Sequence, residues 1–157
     1  MRVWRLVRRR RLPDAFSGEG SRLAGGRWNS PGVRVVYVSA TLALAQLEYL
    51  VHANALFAPR HVCAIFADIP DSVRIEDLDA SALPKNWRRY EPPVEALQAL
   101  GDAWAAKGRS AVLRVPSAVV PQESNLILNP AHADFKRIKI GTPLPVEFDP
   151  RLFASKP

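Results

Sequence analysis

A glycine-rich segment near the N-terminus contains residue types that bind anions. Gly25 and Gly26 precede Arg27, Trp28 and Asn29, and glycine lets a backbone approach a ligand closely. The planar guanidinium of Arg27 can clamp a phosphate or a carboxylate, and Trp28 can stack on a ring or fill the core. The segment matches neither a Walker loop nor a dinucleotide fingerprint. A hairpin turn with one surface arginine is therefore the alternative interpretation.

Glu48 is the second candidate. It lies between Leu44 and His52 in helical spacing, at the border of a predicted apolar face. A carboxylate at such a border costs desolvation unless it has a partner or a function. The alternative is a boundary glutamate paired with His52 or with an arginine.

Tyr37 and the pair Ser124-Asn125 complete the candidate set. Tyr37 lies on a predicted strand, on the face that it shares with Val35 and Ser39. Ser124 and Asn125 can donate hydroxyl or amide hydrogen bonds to a ligand. Simpler explanations exist for both, because tyrosine is common in strands with a satisfied hydroxyl, and serine and asparagine are common in turns.

Other catalytic chemistries lack support. His52, His61 and His132 do not have metal-site spacing, and neither a zinc-protease nor a serine-hydrolase motif is present. Cys63, the single cysteine, lies in an apolar predicted strand, where it indicates a small buried hydrophobe. One cysteine excludes an internal disulfide and a cysteine-based zinc site, and no metal is predicted.

The positive charge of the chain is concentrated at its start. Residues 1–34 contain nine arginines and two acidic residues, whereas 13 basic and 13 acidic residues balance over 35–157. The first segment therefore accounts for the whole formal charge of +7. Arginine suits bidentate contacts with phosphate. The run indicates either a solvated surface or a polyanionic partner: nucleic acid, a phosphorylated cofactor or an acidic protein.

Hydrophobic patterns place these residues in an α+β domain. Strands are predicted over 3–7, 33–39, 62–69, 111–115 and 135–140, and a turn-like segment over 121–125 precedes the apolar run 126–128. Helices are predicted over 41–55, with Ser39 or Thr41 as the cap, and over 92–107. Their apolar faces are predicted to consist of Leu44, Leu47, Leu50 and Val51 in the first, and of Leu97, Leu100 and Trp104 in the second. The segment 17–32 is predicted to be a long loop.

The length of 157 residues predicts one domain, with a core over about 3–146 and a proline-rich C-terminal tail. No apolar stretch is long enough for a transmembrane helix, and none follows the basic N-terminus to form a signal peptide. These features favour a cytoplasmic protein.

Four blocks in order carry a resemblance to a known family. They are Gly-Gly-Arg-Trp-Asn-x-x-Gly (25–32), Val-Val-Tyr-Val-Ser (35–39), Leu-Ala-x-Leu-Glu (44–48) and Glu-Ser-Asn-x-x-Leu-Asn-Pro (123–130). Together they resemble the RES domain, which forms the toxin half of bacterial RES–Xre toxin–antitoxin systems. The resemblance extends from about residue 4 to about residue 140.

The resemblance implies a compact α+β fold like the ADP-ribosyltransferase and diphtheria-toxin catalytic cores, with short strands in a split sheet and two main helices. It implies NAD+ as the substrate, without a metal, and a cognate Xre-type antitoxin as the partner in the bacterial cytoplasm. The family's arginine falls on Arg27, its tyrosine on Tyr37, its glutamate on Glu48 and its serine on Ser124.

The implied reaction is cleavage of the nicotinamide–ribose bond through an oxocarbenium-like transition state. Nicotinamide leaves as a neutral molecule, so a general acid is not required. Arg27 is expected to hold a phosphate or the ribose, and Glu48 to bond ribose hydroxyls and stabilise the cation. Tyr37 is expected to pack on nicotinamide or bond the ribose, and Ser124 to bond one of the two.

The remaining expected NAD+ contacts surround these four residues. They come from Arg5, Gly26, Trp28, Asn29 and Asn125. Arg5 and Arg22 are expected to form walls of the pyrophosphate site together with Arg27. Arg8–Arg11 are either a solvated surface or a contact for an acidic antitoxin segment.

Several functions remain open at this point. An NAD+-degrading toxin would pass the ribosyl cation to water or phosphate, whereas a protein mono-ADP-ribosyltransferase would pass it to a side chain. A basic nucleic-acid-binding protein or ribonuclease-type toxin is an alternative of another class. Against it, nucleic-acid-binding motifs are lacking and aromatic residues do not alternate with the basic run. An inactive binding module is the fourth alternative.

Overall fold

Eight strands and three α-helices occur in the part of the chain that the computed structural model describes, residues 1–53, 59–79, 81, 83–89 and 94–153. The strands are β1 (Arg2–Arg8), β2 (Val36–Ser39), β3 (Val62–Asp68), β4 (Ile75–Asp77), β5 (Val112–Pro116), β6 (Ser124–Leu128), β7 (Lys139–Ile140) and β8 (Leu144–Val146). The helices are α1 (Glu19–Ala24), α2 (Leu42–Leu50) and α3 (Val94–Lys107).

The sheet consists of two halves that meet at one residue pair. One half has the order β4-β5-β6-β2, and the other has β1 beside β3, with β7 and β8 on the far side of β3. β1 and β3 pair over seven residues, whereas β1 and β2 share only the pair Trp4 and Ser39. The strands pair antiparallel except for β4 and β5, which are parallel. The predicted α+β fold with a split sheet is confirmed.

The two faces of β2 pack into different cores, as its alternation predicts. Val36 and Val38 belong to a cluster with buried residues of β1 and β6. Val35 and Tyr37 pack on the opposite face, in a cluster that includes Trp104 and Leu97 of α3. The sheet is therefore buried on both sides at β2, as expected for a central strand.

α2 confirms its predicted cap but only part of its predicted apolar face. The Oγ1 atom of Thr41 accepts a hydrogen bond from the amide of Leu44 at 3.0 Å, and Leu44 is fully buried. Leu47 and Val51, however, are 40% and 53% exposed. Among the described strands, the helix packs mainly on β1 and β2, and a narrow apolar stripe is enough for this contact. The predicted helical residues 54–55 and 92–93 lie outside the described residues.

Two predictions for the irregular segments are wrong. The predicted loop 17–32 contains α1, and the predicted strand 135–140 is a 3₁₀ turn over Ala133–Arg137 followed by the two residues of β7. The Nδ1 atom of His132 accepts a hydrogen bond from the amide of Asp134 at 3.0 Å. This local cap starts the turn, and it prevails over the alternating pattern.

The end of the described chain packs back onto α2. Phe148, just past the predicted limit of the core, is buried and stacks on Tyr49 with ring centroids 6.1 Å apart. None of the helices in the described residues is long and apolar enough to cross a membrane.

The contact between α3 and the glycine-rich segment yields a stability prediction. A Cβ atom at Gly101 would lie 1.8 Å from the carbonyl oxygen of Trp28, whereas one at Gly20 in α1 would meet no atom within 4 Å. We expect Gly101→Ala to lower the free energy of unfolding by about 1–3 kcal/mol, since backbone must move. Gly20→Ala is the control, and we expect it to be neutral or stabilising by up to about 1 kcal/mol. Urea unfolding of both variants measures the difference; equal midpoints would contradict the contact.

Candidate active site

A cleft of about 1300 Å³ opens where the two half-sheets separate. β1, β2, α2 and the glycine-rich segment contribute to its lining, as do residues from the ends of β5 and β6. The charged residues of its described lining are five arginines and one carboxylate, Glu48. The arginines are Arg5, Arg8, Arg27, Arg60 and Arg88. Such a surplus of positive charge in a concave site attracts an anionic ligand.

Arg5 is a largely buried cation at the junction of the half-sheets. Its Nη1 atom donates to the carbonyl oxygen of Tyr37 on β2 at 2.6 Å, across the separation of the strands. Its Nε atom is buried and has no hydrogen-bond partner among the described residues. Burial lowers the pKa of Arg5 to about 10, so the side chain is still charged at neutral pH. A buried charge without a counter-ion is costly, and an anion in the cleft would reduce that cost.

Glu48 is held by two side chains from neighbouring strand ends. Its Oε1 atom accepts a hydrogen bond from the hydroxyl of Ser117 at 2.7 Å and another from the amide Nδ2 of Asn125 at 2.5 Å. None of the described residues makes a hydrogen bond to its Oε2 atom. The alternative of an ordinary boundary glutamate paired with His52 or an arginine therefore does not describe Glu48.

Ser117 is the functional candidate that the sequence analysis missed. Its side chain is fully buried, and its Oγ atom accepts hydrogen bonds from the amides of Val119 and Val120 at 3.1 and 2.9 Å. The one hydroxyl proton is thereby directed to Glu48. The available signal was its position directly after Pro116, because the residue that follows β5 must lie beside the start of the antiparallel β6.

Ser124, the serine proposed from the resemblance, does not line the cleft. It pairs with Pro116 at the start of β6, and its carbonyl oxygen accepts a hydrogen bond from the amide of Ala40. Asn125, the next residue, lines the cleft and bonds Glu48. Of the two neighbouring candidates, the structure brings only Asn125 to the carboxylate.

Arg27 faces the same cleft and is anchored to a neighbouring loop. Its Nη1 atom donates to the carbonyl oxygen of Trp87 at 2.6 Å. Burial lowers the pKa of Arg27, while the negative charge of nearby Glu48 acts in the opposite direction. Its hydrogen bonds to described residues go to backbone carbonyls, and they leave other guanidinium donors for an anion.

Tyr37 and Asn29 hold the glycine-rich turn together. The hydroxyl of Tyr37 donates to Oδ1 of Asn29 at 2.7 Å and accepts from the amide of Trp28 at 3.0 Å. Burial raises the pKa of Tyr37, so the phenol stays neutral. A Cβ atom at Gly26 would lie 2.6 Å from this hydroxyl, which explains why glycine is needed there. The ring of Tyr37 lines the cleft while its hydroxyl is engaged in the turn.

Three of the expected NAD+ contacts have mainly structural surroundings. Asn29 is fully buried, donates to the carbonyls of three residues of the surrounding turn, and does not line the cleft. Trp28 lines the cleft but is only 3% exposed, and it packs beside Trp87. Arg22 pairs with Glu19 and lies outside the cleft lining, so it is not a wall of this site.

The three histidines and Cys63 make no hydrogen bond to Glu48. His52 lines the cleft and is exposed, whereas His61 and Cys63 line a smaller cavity with Arg9 and Glu147. Within the described ranges, no cluster of three or more histidine, cysteine, aspartate or glutamate side chains could hold a metal ion.

The fold and the cleft together define a small α+β domain with a carboxylate in an arginine-lined site. Comparison with known proteins identifies its relatives. The model of the RES domain matches residues 2–149, and the chain belongs to this family.

Two relatives match this chain along almost their whole length. The chain is 39% identical over 153 residues to the Prs ADP-ribosylating toxin of Sphingobium sp. (strain YBL2), which covers 95% of this chain and 94% of the relative. It is 38% identical over 157 residues to Toxin Res of Photorhabdus laumondii, with 99% of both chains covered.

The fold is also similar to a solved structure, the Mycobacterium tuberculosis MbcT–MbcA toxin–antitoxin complex. The TM-score is 0.74 at 19% identity, with 97% of this chain and 86% of the other chain covered. This likeness concerns the fold.

The clamp on the glycine-rich turn can be tested by Tyr37→Phe. Loss of the hydroxyl leaves the amide of Trp28 and Oδ1 of Asn29 without this partner, and we expect a loss of about 1–3 kcal/mol in the free energy of unfolding at neutral pH. Because burial raises the pKa of Tyr37, the unfolded chain ionises first, near pH 10. The wild type should therefore lose stability above pH 10 through this group, by at most about 1.4 kcal/mol per pH unit.

The measurement is urea unfolding at pH 8 and pH 11, with Tyr49→Phe as the control. The Tyr49 hydroxyl makes no hydrogen bond to the described part of the chain, so we expect little change. The gap between wild type and Tyr37→Phe should narrow at pH 11. A constant gap would show that the Tyr37 hydroxyl does not stay protonated in the folded state.

Proposed function

We propose that this chain is the toxin of a toxin–antitoxin pair and that it cleaves the nicotinamide–ribose bond of NAD+. The observation that carries the proposal is the carboxylate of Glu48, held at Oε1 by Ser117 and Asn125 in an otherwise arginine-lined cleft. Membership of the RES family and the names of the relatives agree with it.

The arginines of the cleft suit the pyrophosphate of NAD+. Arg5 lines the cleft and forms no ion pair with the described residues, and Arg27 has donors that its carbonyl contacts do not use. Guanidinium groups bind phosphate through paired hydrogen bonds. In this arrangement the pyrophosphate lies between Arg5 and Arg27, and the nicotinamide riboside extends toward Glu48, with the ring of Tyr37 beside it.

Glu48 then acts on the ribose. Its Oε2 atom, which accepts no hydrogen bond from the described residues, is the acceptor for a ribose hydroxyl. When the C1′–N bond breaks, its electron pair goes to nicotinamide, which leaves as a neutral molecule, and positive charge develops on the ribose ring. A preorganised carboxylate stabilises that charge. The step needs no proton donor.

The acceptor of the ribosyl cation distinguishes two activities. Water or inorganic phosphate as the acceptor depletes NAD+, and we propose this as the activity that arrests growth. Transfer to a protein side chain is the second candidate, and the name of the Sphingobium relative, an ADP-ribosylating toxin, favours it. Both candidates use the same cleft and the same release of nicotinamide.

Glu48→Gln tests the proposed step. The substitution preserves size but removes the charge that stabilises the cation, and we expect nicotinamide release from NAD+ to fall by at least about 100-fold. The exposed Glu95 on α3 provides the control, because Glu95→Gln should leave the rate unchanged. NAD+ labelled in the adenylate part identifies the acceptor: free ADP-ribose indicates water, a phosphorylated product indicates phosphate, and labelled protein indicates transfer. A wild-type protein that releases no nicotinamide would refute both activities.

We further propose that the antitoxin contacts the basic surface formed by Arg8–Arg11. Arg9, Arg10 and Arg11 form an exposed 3₁₀ turn and make no ion pair with the described residues. Arg8 is exposed and also lines the cleft, so this surface continues into the entrance. An acidic or carboxylate-ended segment would complement both. Nucleic acid would be attracted by the same charge, but aromatic residues that could stack on bases do not alternate with this basic run.

The triple variant Arg9→Glu/Arg10→Glu/Arg11→Glu separates this contact from catalysis. These three side chains do not line the cleft, so we expect nicotinamide release to be unchanged and antitoxin affinity to fall at least tenfold, with a weaker dependence on salt. Arg74→Glu/Lys136→Glu/Lys139→Glu is the matched control, since these exposed residues lie elsewhere on the chain. Equal antitoxin affinity of the two variants would contradict the contact. If the Arg9/Arg10/Arg11 variant lost RNA binding but kept its antitoxin affinity, nucleic acid would be favoured as the partner of this surface.

A further inference from the structure

Asn125 is bonded at both ends of its amide group. Its Oδ1 atom accepts a hydrogen bond from the hydroxyl of Ser39 at 2.7 Å, and its Nδ2 atom donates to Oε1 of Glu48 at 2.5 Å. The opposite orientation of the amide would place Oδ1 against the carboxylate, where two acceptors would repel each other. The carboxylate, which only accepts hydrogen bonds, therefore determines the orientation of Asn125, and in that orientation the Ser39 hydroxyl donates to Oδ1.

Ser39 lies at the junction of the two half-sheets. Its backbone pairs with Trp4 of β1 on one side and with Asn125 of β6 on the other. Its side chain is buried. The Ser39 hydroxyl thus links the amide of Asn125 to the residue pair through which β1 meets β2.

Glu48, by contrast, lies on an element with little packing of its own. α2 is nine residues long, and its buried residues are Leu44 and Ala45. A glutamate side chain has three rotatable bonds, and fixing them costs conformational entropy. The direction of the carboxylate must therefore be set by its hydrogen bonds to the strands.

We propose that Ser39 and Asn125 are a positioning pair, which fixes the Glu48 carboxylate relative to the sheet junction so that Oε2 faces the ribose. The inference rests on the proposed function and changes the expected role of Asn125: it acts through Glu48 and does not bind NAD+ itself. Ser39 had no assigned role beyond a possible helix cap, which Thr41 provides.

Asn125→Asp tests the pair through pH. The new carboxylate faces Glu48 at hydrogen-bond distance, so the two groups share one proton at low pH and repel each other when it is lost. The quantity to follow is the kcat of Asn125→Asp for nicotinamide release, expressed as a fraction of the wild-type kcat at the same pH. We expect this fraction to fall at least tenfold between pH 6 and pH 9. The KM for NAD+ should stay within threefold. The other charged or titratable groups of the cleft are present in both proteins. They are Arg5, Arg8, Arg27, Tyr37, Tyr49, His52, Arg60 and Arg88.

Ser39→Ala tests the member of the pair that acts on Glu48 through Asn125. Ser39 lines the cleft but makes no hydrogen bond to Glu48. We expect kcat to fall three- to tenfold at unchanged KM, because the amide of Asn125 loses its anchor. Ser110→Ala is the matched control. Ser110 is also a buried serine with hydrogen bonds, to Trp104 and to the carbonyl of Val112, but it is remote from the cleft lining. Its variant should lose similar stability and retain kcat.

The outcomes separate the alternatives. A pH-independent ratio for Asn125→Asp together with a raised KM would overturn the inference and assign Asn125 to NAD+ binding. A wild-type kcat for Ser39→Ala would also overturn it. If the wild type releases no nicotinamide, the proposed function fails. The contact between residue 125 and Glu48 can still be measured without activity, from the pH dependence of the ¹³C chemical shift of the Glu48 carboxyl. A two-step titration in Asn125→Asp supports the pair, and a single step overturns it.

Discussion

The structure depends on a single backbone junction between two half-sheets. β1 and β2 share the pair Trp4 and Ser39, and beyond it the strands separate. Each half is otherwise well paired, through β1 with β3 and through β2 with β6. The separation creates the cleft, and the guanidinium of Arg5 spans it to reach the carbonyl of Tyr37. The strand end that joins the halves thus also borders the candidate site.

The distribution of charge separates this cleft from the rest of the surface. Arginines elsewhere, such as Arg2 and Arg114, pair with aspartates of neighbouring strands. The cleft arginines Arg5 and Arg27 instead donate to backbone carbonyls. Unpaired cations in a partly buried site do not maximise stability, and they are what an anionic substrate requires. The nine arginines of the first 34 residues therefore divide into three groups. Arg5, Arg8 and Arg27 line the cleft, Arg9–Arg11 form the exposed turn, and Arg2, Arg22 and Arg34 pair with acidic side chains.

Local hydrophobic patterns predicted most of the helices and strands. They failed where a hydrogen bond between a polar side chain and the nearby backbone determines the conformation. The alternation around Tyr37 predicted both faces of β2, since a strand buried on two sides must place successive residues in different cores. The pattern over 135–140 failed, because the cap of His132 on Asp134 favours a turn. The face of α2 was predicted too wide, since a short helix over a sheet junction buries only a narrow stripe.

The sequence by itself determined the fold class and the family, because these depend on local order and on motif blocks. It also predicted seven residues that line the cleft: Arg5, Gly26, Arg27, Trp28, Tyr37, Glu48 and Asn125. Only the tertiary structure decided which side chains hold Glu48. Ser117 and Asn125 are separated from it by 69 and 77 positions, and the pairing of β5 with β6 brings both to α2. Hydrogen bonds between residues so distant in the chain depend on strand register, and register arises from the packing of the whole sheet.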